Sequence, residues 1–262
     1  TTLFRSKNGT LPENAVYIQA YASDNNFLPK DYVEGLNELK GIDRERLLLG
    51  NWDYAETDTD IISWNQIQDV FSNTPNKSGK KYITADIATY GADLFVVMLW
   101  DGWNIERIWT MDKSEGDQIV NKIKEVKTAY QVPTSHICFD GDGAGSMLGG
   151  FLGNAVRFQN NGKMIKKLEI NYTKAFRKEY DNLKTQCGYA LGDQIKKGLC
   201  TCSDKYYIPK IEQELQQLQR AKIDNDSILY LKSKEEIKKS LGRSPDFLDA
   251  MIMRAYFELR GH

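Results

Sequence analysis

Three short apolar runs follow one another in the middle of the chain and predict three β-strands. They cover residues 82–87, 94–100 and 104–109. Apolar runs of this length bounded by turn residues are typical of strands, and the dipeptide Asp101-Gly102 between the last two is a hairpin signal. We therefore expect these strands to form an antiparallel meander.

The pattern downstream of this meander alternates between helices and strands. From residue 114 to 130, Ile119, Ile123 and Val126 fall on one helical stripe. Further strands are predicted over 135–139, 155–158 and 228–231, and further helices over 182–197, 209–220 and 246–259. This chain order predicts an α/β protein with the ribonuclease H-like fold, in which helices flank a mixed central sheet.

Residues 1–72 are expected to form a connector packed on the main body rather than a domain of their own. One strand is predicted over 17–21 and two short helices over 30–39 and 43–49, and these elements cannot close a core by themselves. Residues 72–79 are the clearest linker, because turn-forming residues dominate them. The predicted division is a connector over 1–72 and a ribonuclease H-like domain over 73–262.

Composition excludes several classes of protein. The chain has 262 residues, of which 41% are hydrophobic and 11% aromatic, so it can bury a substantial core. No apolar run approaches the roughly 20 residues that span a bilayer, and the first ten residues lack a secretory apolar segment. We expect a soluble, intracellular protein without membrane contact.

The four cysteines predict reduced thiols rather than a zinc site. Cys138 lies in an apolar run, and Cys200 and Cys202 are separated by one residue. Zinc half-sites usually have two to four residues between their cysteines. A thiol-rich protein without such spacing is typical of a reducing compartment.

The candidate chemistry lies in aspartates at the predicted ends of core elements. Asp86 closes the first strand, Asp140 follows the strand at 135–139, and Asp246 and Asp249 fall in the first turn of the last helix. Each has a simple alternative role, namely a solvated strand edge, a turn, or a favourable charge at a helix N-terminus. Together at one end of a sheet, such carboxylates are how a divalent-metal phosphodiesterase site is built.

Two basic runs are candidates for phosphate contacts. Residues 163–184 hold seven basic and three acidic residues, and residues 232–243 hold five and two. Taken alone, such runs are better explained as solvated helix faces. Beside a carboxylate cluster, they predict DNA-backbone contacts by Lys234, Lys238, Lys239 and Arg243. The net charge of −1 adds no general attraction for a polyanion.

The Gly-rich stretch 141–145 does not predict nucleotide binding. A phosphate-binding loop of the Walker A type is followed by Lys and Ser or Thr. Gly145 is followed by Ser146 and Met147, so the Lys of that pattern is missing.

The combination of these motifs resembles the large terminase subunit of tailed bacteriophages, in its C-terminal nuclease domain. Four stretches carry the resemblance: 82–88 with Gly91 and Asp93, 139–145, 233–238 leading into 244–250, and 46–52. Their order and spacing cover nearly the whole chain, although no single motif is specific.

The resemblance implies an endonuclease that uses two Mg²⁺ or Mn²⁺ ions to cut concatemeric double-stranded DNA during packaging. Asp86, Asp140 and Asp246 match the catalytic acids that bind the metal ions. Asp93 and Asp249 match nearby acids that are also expected to bind metal, although their roles vary more within the family. It also implies the host cytoplasm as location, and the portal and small terminase subunit as partners of the full-length protein. The Walker A sequence of the packaging ATPase is missing, so we expect an excised nuclease domain.

Two other interpretations remain open at the level of sequence. Another ribonuclease H-like nuclease, such as a junction resolvase or transposase core, would share the acids but not the segment 46–52. A non-catalytic DNA-docking module would gain nothing from carboxylates that face phosphates.

Overall fold

The computed structural model describes residues 27, 29, 59–75, 77–88, 93–112, 114–165, 179–221 and 228–261. By its internal contacts, the chain divides into two compact units, residues 1–58 with 63–65 and residues 59–62 with 66–262. Nearly all of the first unit lies outside the described residues. The elements predicted at 17–21, 30–39 and 43–49, the segment 46–52, Gly91 and most of the basic run 163–184 do so too. The division at residue 72 stays a prediction.

The described residues form short strands and helices in the predicted alternation. The strands are β1 (Lys81–Asp86), β2 (Phe95–Asp101), β3 (Asn104–Met111), β4 (Ile137–Asp140), β5 (Val156–Phe158), β6 (Glu179–Tyr180), β7 (Thr201–Cys202) and β8 (Ile228–Leu229). The helices are α1 (Trp64–Ser72), α2 (Gly116–Ala129), α3 (Leu183–Lys196), α4 (Ile208–Leu215), α5 (Lys234–Leu241) and α6 (Asp246–Arg260). Single 3-10 turns cover Thr134–His136 and Gly143–Met147. None of these helices has the length and apolar character needed to cross a bilayer.

A mixed six-stranded sheet organises the main unit. Its strand order is β5-β4-β1-β2-β3-β7. The meander β1-β2-β3 is antiparallel, as predicted, while β4 joins β1, β5 joins β4 and β7 joins β3 in parallel. Strands β6 and β8 form a separate parallel pair. The predicted mixed central sheet flanked by helices is confirmed.

Helices α2 and α6 cover opposite faces of this sheet. Ile83 and Ala85 of β1 belong to the apolar cluster that α2 completes. The ring of Tyr82 lies 4.9 Å from that of Phe257 in α6. Because side chains alternate along a strand, Asp86 lies on the same face as Tyr82. The last residue of β1 is therefore directed to the side of the sheet that α6 covers.

Helix α6 is buried over most of its length, and a cation near its middle fixes it to the meander. The guanidinium of Arg254 lies 4.0 Å from the ring centre of Tyr82 and 4.4 Å from that of Trp103. Its Nε donates to the carbonyl oxygen of Gly102 at 2.9 Å. Gly102 has φ of 61°, a conformation that suits glycine in the hairpin between β2 and β3.

Helix α5 is an element that the sequence analysis treated only as a charged run. It begins at a capping box, in which Glu236 N donates to Ser233 Oγ at 3.3 Å and Ser233 N donates to Glu236 Oε2 at 3.0 Å. It ends at Gly242, whose φ is 73°. These start and stop signals are visible in the sequence.

The structure differs from the prediction in the length of one helix and in a strand at the edge of the sheet. Helix α4 ends at Leu215 rather than at residue 220, because Gln219 and Arg220 form β-bridges with Asp60 and Leu231. Strand β7, which extends the sheet beyond β3, was not predicted. A two-residue strand carries no periodicity, so tertiary pairing alone defines it.

All four cysteines are buried and unpaired. Cys138 lies in β4, Cys187 in α3, Cys200 just before β7 and Cys202 within it. Burial raises the pKa of the Cys202 thiol to about 12 and raises the pKa values of the other three thiols as well. All four thiols are thus free in this structure, and the reducing compartment expected from the sequence stays a prediction.

We expect Thr84→Val to reduce the free energy of unfolding by about 1–3 kcal/mol. The indole Nε1 of Trp100 donates to Thr84 Oγ1 at 2.9 Å, and both side chains are buried. Valine preserves the shape but leaves the indole N–H without its acceptor. Urea denaturation of Thr84→Val, Trp100→Phe and the double variant gives the coupling between the two side chains. Strictly additive effects would contradict the prediction.

Candidate metal centre

The two strand-end acids lie next to each other because β1 and β4 are parallel neighbours. Ala85 pairs with Phe139, so the residues that follow them, Asp86 and Asp140, lie side by side at the carboxyl ends of their strands. The first turn of α6 adds Asp246 and Asp249. Each of these four carboxylates lies within electrostatic reach of at least one other. Asp93, the fifth acid predicted as a metal ligand, lies within electrostatic reach of Asp246. The structure thus brings all five predicted acids into one neighbourhood.

Asp86 is the most deeply buried of the strand-end acids, with 4% of its surface exposed. Burial raises the pKa of Asp86 well above its ordinary value, and the carboxylates of Asp249, Asp140 and Asp246 raise it further. The ammonium of Lys234 acts in the opposite direction. A carboxylate in this position favours a proton or a cation beside it.

Asp246 has one oxygen that is hydrogen-bonded and one that is not. Its Oδ2 accepts from Leu94 N at 2.8 Å, while Oδ1 is buried without a partner among the described residues. Burial raises the pKa of Asp246 to about 6, and the Leu94 amide lowers it only in part. Leu94 N therefore fixes the orientation of a carboxylate whose other oxygen remains available to a ligand.

Asp140 is held by a small polar network that the sequence analysis did not identify. Its Oδ1 accepts from Asp142 N at 3.0 Å and from Asn160 Nδ2 at 3.3 Å. The same Asn160 amide donates to Asp142 Oδ2 at 2.9 Å. Burial raises the pKa of Asp140 despite these donors. An asparagine shortly after a weak strand gives no signal in the sequence, because only the fold brings it to Asp140.

Asp249 differs from the other acids because two lysines neutralise it. Lys184 Nζ lies 2.7 Å from its Oδ1, and Lys234 Nζ lies 3.2 Å from its Oδ2. Although burial raises the pKa of Asp249, these ammonium groups hold it below its ordinary value. In this arrangement Asp249 holds two cationic side chains beside the acids. Lys184 belongs to the basic run 163–184 but was not singled out as a site residue from the sequence.

The Gly-rich segment serves the turn that follows Asp140. A Cβ atom on Gly145 would lie 1.8 Å from the carbonyl oxygen of Asp140, so only glycine fits there. Gly143 has φ of 51°. The glycines therefore allow a tight return of the chain against β4.

Most of the predicted DNA-binding residues form ion pairs within the protein. Lys238 Nζ lies 3.2 Å from both carboxylate oxygens of Asp93, and Lys234 contacts Asp249. Arg243 pairs with Glu214. Lys239 is exposed. The assignment of these four residues to DNA contact stays a prediction, as does that of Asp93 to metal.

The donor set fits a hard divalent cation. Carboxylate oxygens are the ligands that Mg²⁺ and Mn²⁺ prefer, and Asp246 Oδ1 is an unpartnered buried oxygen among like charges. Within the described ranges, no three Asp, Glu, His or Cys side chains are close enough to form a ready-made cage. Mg²⁺ usually keeps several waters and binds one or two carboxylates together with substrate phosphates, so it does not require such a cage.

The sheet order, with acids at the ends of β1 and β4 and at the start of α6, is that of a ribonuclease H-like nuclease domain. Solved structures with the same fold support this classification. The nuclease domain of the large terminase subunit gp2 of bacterial virus Sf6 is 19% identical, with a TM-score of 0.61 over 74% of this chain and 97% of that one. Variants of that domain with calcium and with manganese are both 18% identical, with TM-scores of 0.62 and 0.60 over 74% of this chain and 98% of theirs. Neither a protein-family model nor a curated protein matches the chain.

The predicted ribonuclease H-like fold is therefore confirmed. At the level of fold, so is the resemblance to the nuclease domain of a phage large terminase subunit.

We expect Asp246→Asn to become more stable relative to the wild type as the pH rises. The pKa of Asp246 is raised from 3.8 to about 6, so the folded wild type retains a proton that the unfolded chain has released. Its stability should fall as the pH rises between these values, by at most roughly 3 kcal/mol, and level off above them. Asparagine does not titrate.

Chemical denaturation of both proteins in chelator between pH 4 and pH 8 measures this difference. Parallel pH profiles would contradict the prediction. Adding Mn²⁺ above the raised pKa should stabilise the wild type more than the variant, because the variant lacks a negative ligand.

Proposed function

We propose that this chain is the metal-dependent nuclease domain of a viral DNA-packaging terminase. It would act as an endodeoxyribonuclease that cuts concatemeric double-stranded DNA with two Mg²⁺ or Mn²⁺ ions. The observation that carries the proposal is the convergence of Asp86, Asp140 and Asp246 on one end of a sheet with this fold. Two buried carboxylates and a half-buried one at the same site are costly unless a cation joins them.

Asp86, Asp140 and Asp246 would hold the metal ions. When bound, the ions would supply an activated water and charge stabilisation for the phosphodiester. The Leu94 amide orients Asp246, and Asn160 and the Asp142 amide orient Asp140. These contacts fix the acids before DNA arrives, which reduces the reorganisation that binding requires.

Lys184 and Lys234 give the site its positive charge. Both ammonium groups contact Asp249, and Lys234 is also close enough to influence Asp86 and Asp246. The neighbouring carboxylates raise the pKa of Lys234 despite its partial burial, so it remains charged at neutral pH. A cation here would attract a phosphate toward the acids.

The proposal extends to the setting in which the domain would work. Its substrate would be viral DNA in the cytoplasm of the bacterial host. The portal and small terminase subunit would be partners of the full-length protein, and nucleotide hydrolysis would belong to its motor. Cleavage by this chain should therefore need DNA and a divalent ion but no ATP.

Alanine at Asp86, Asp140 or Asp246 should each abolish cleavage without unfolding the protein. Loss of a ligand removes ion placement, and loss of a buried charge relieves repulsion, so Asp86→Ala should be at least as stable as the wild type in chelator. Plasmid nicking with Mg²⁺ or Mn²⁺ measures activity, and urea denaturation measures stability. Ca²⁺ should bind without supporting turnover, since its larger and looser coordination shell suits this chemistry poorly.

Asp117→Ala is a matched control, because Asp117 is an exposed acid in the first turn of α2. It should cut like the wild type. Near-normal nicking by any two of the three site variants would contradict the assignment. A wild-type chain that binds DNA but never cuts it would favour the docking module instead.

We expect Lys239→Ala to weaken DNA binding more than the loss of one positive charge elsewhere on the protein does. Lys239 is exposed on α5, the helix that also carries Lys234. If it neutralises a phosphate, its removal should flatten the slope of log K against log salt by roughly 0.9, equally for unrelated DNA sequences. Fluorescence anisotropy at several salt concentrations measures this slope. Lys122→Ala, on the distant helix α2, is the control, and an unchanged slope for Lys239→Ala would leave α5 as a solvated face.

A further inference from the structure

Helix α6 carries two of the site acids but has no N-terminal cap of its own. Pro245 precedes it and makes no capping hydrogen bond. The first amides of a helix have no partner within the helix and need one from elsewhere. The amide of Leu248, between Asp246 and Asp249, donates to Glu214 Oε2 at 2.8 Å. A residue of α4 thus caps α6 from another part of the chain.

Glu214 is completely buried, and Arg243 holds it in place. Glu214 has 0% of its side chain exposed, whereas Arg243 has 29%. Arg243 Nη1 pairs with Glu214 Oε1 and also donates to Ser244 O at 3.1 Å. The guanidinium therefore contacts the capping carboxylate and the backbone that leads into α6. Burial raises the pKa of Glu214 to about 7, and Arg243 lowers it in part.

This hydrogen bond is made in the turn that carries both acids of α6. Leu248 is in the first turn, so displacement of its amide would move Asp246 and Asp249 with it. The role of Arg243 in this arrangement differs from the DNA contact expected from the sequence. A buried carboxylate without a cationic partner is costly, so the pair forms one unit.

We propose that Glu214, held by Arg243, is a positioning residue that sets the first turn of α6 and so the placement of Asp246 for metal binding. The proposal rests on the metal-dependent nuclease function proposed above. Glu214 acts through the backbone of α6. Its charge also lies within electrostatic reach of Asp246, and replacement by Gln or by Met removes that charge equally.

Glu214→Gln and Glu214→Met form a matched pair that tests this role. Both are neutral and similar in size, but only glutamine can accept from Leu248 N. We expect Gln to retain kcat within about threefold and Met to reduce it about tenfold or more, because a small displacement of reacting groups is costly. KM for DNA should be unchanged, and half-saturation by Mn²⁺ should rise in the Met variant alone. Exchange of the Leu248 amide, followed by NMR, should be faster in Met than in Gln.

Glu106→Ala is the control, because Glu106 is an ion-paired carboxylate near Lys81, at the other end of β1 from Asp86. It should leave kcat, the Mn²⁺ dependence and Leu248 exchange unchanged. Equal behaviour of Glu214→Gln and Glu214→Met in cleavage and in exchange would overturn the proposal. A wild-type protein that does not cut DNA would contradict the proposed nuclease function. In that case the difference between Glu214→Gln and Glu214→Met in Leu248 exchange and in Mn²⁺ binding would still test the positioning role.

Arg243→Gln separates positioning from DNA contact. We expect it to lower kcat and accelerate Leu248 exchange while the salt slope of DNA binding stays at the wild-type value. A flatter slope with normal kcat would assign Arg243 to the DNA backbone and overturn its part in the proposal.

Discussion

Repulsion among buried carboxylates is the constraint on which the rest of this structure depends. The end of β1 faces the first turn of α6, and β4 lies beside β1. The carboxylates of Asp86, Asp140 and Asp246 are therefore held close together. In water such charges would separate, but here a packed sheet and a buried helix hold them. The free energy that holds them together comes from the apolar packing on both faces of the sheet.

The protein limits this repulsion with partners that do not occupy every carboxylate oxygen. Two lysines neutralise Asp249, and backbone amides bind one oxygen of Asp140 and one of Asp246. What remains is a site with unsatisfied negative charge and little freedom to move. Such preorganisation lowers the cost of binding a cation, although it lowers the stability of the protein without one.

The sequence predicted the meander and the order of elements well, because strands with short turns carry strong local signals. Asp86 and Asp140 were found because an acid at the end of an apolar strand is conspicuous. Lys184, Asn160 and Glu214 were missed, since each joins the site only through tertiary packing between segments that are distant along the chain. The same limit explains β7 and the early end of α4, both of which depend on pairing with distant segments.

The buried thiols have a practical consequence. A cysteine reacts with an alkylating reagent only when it is exposed and ionised. Cys138 is in β4, between β5 and β1, Cys187 is in α3, and Cys200 and Cys202 are at the sheet edge beyond β3. Each would therefore become modified only when its own region opens, at a rate set by that local opening. The natural sequence contains probes in an interior strand, in a flanking helix and at a sheet edge, so mass spectrometry could follow the order in which these parts unfold.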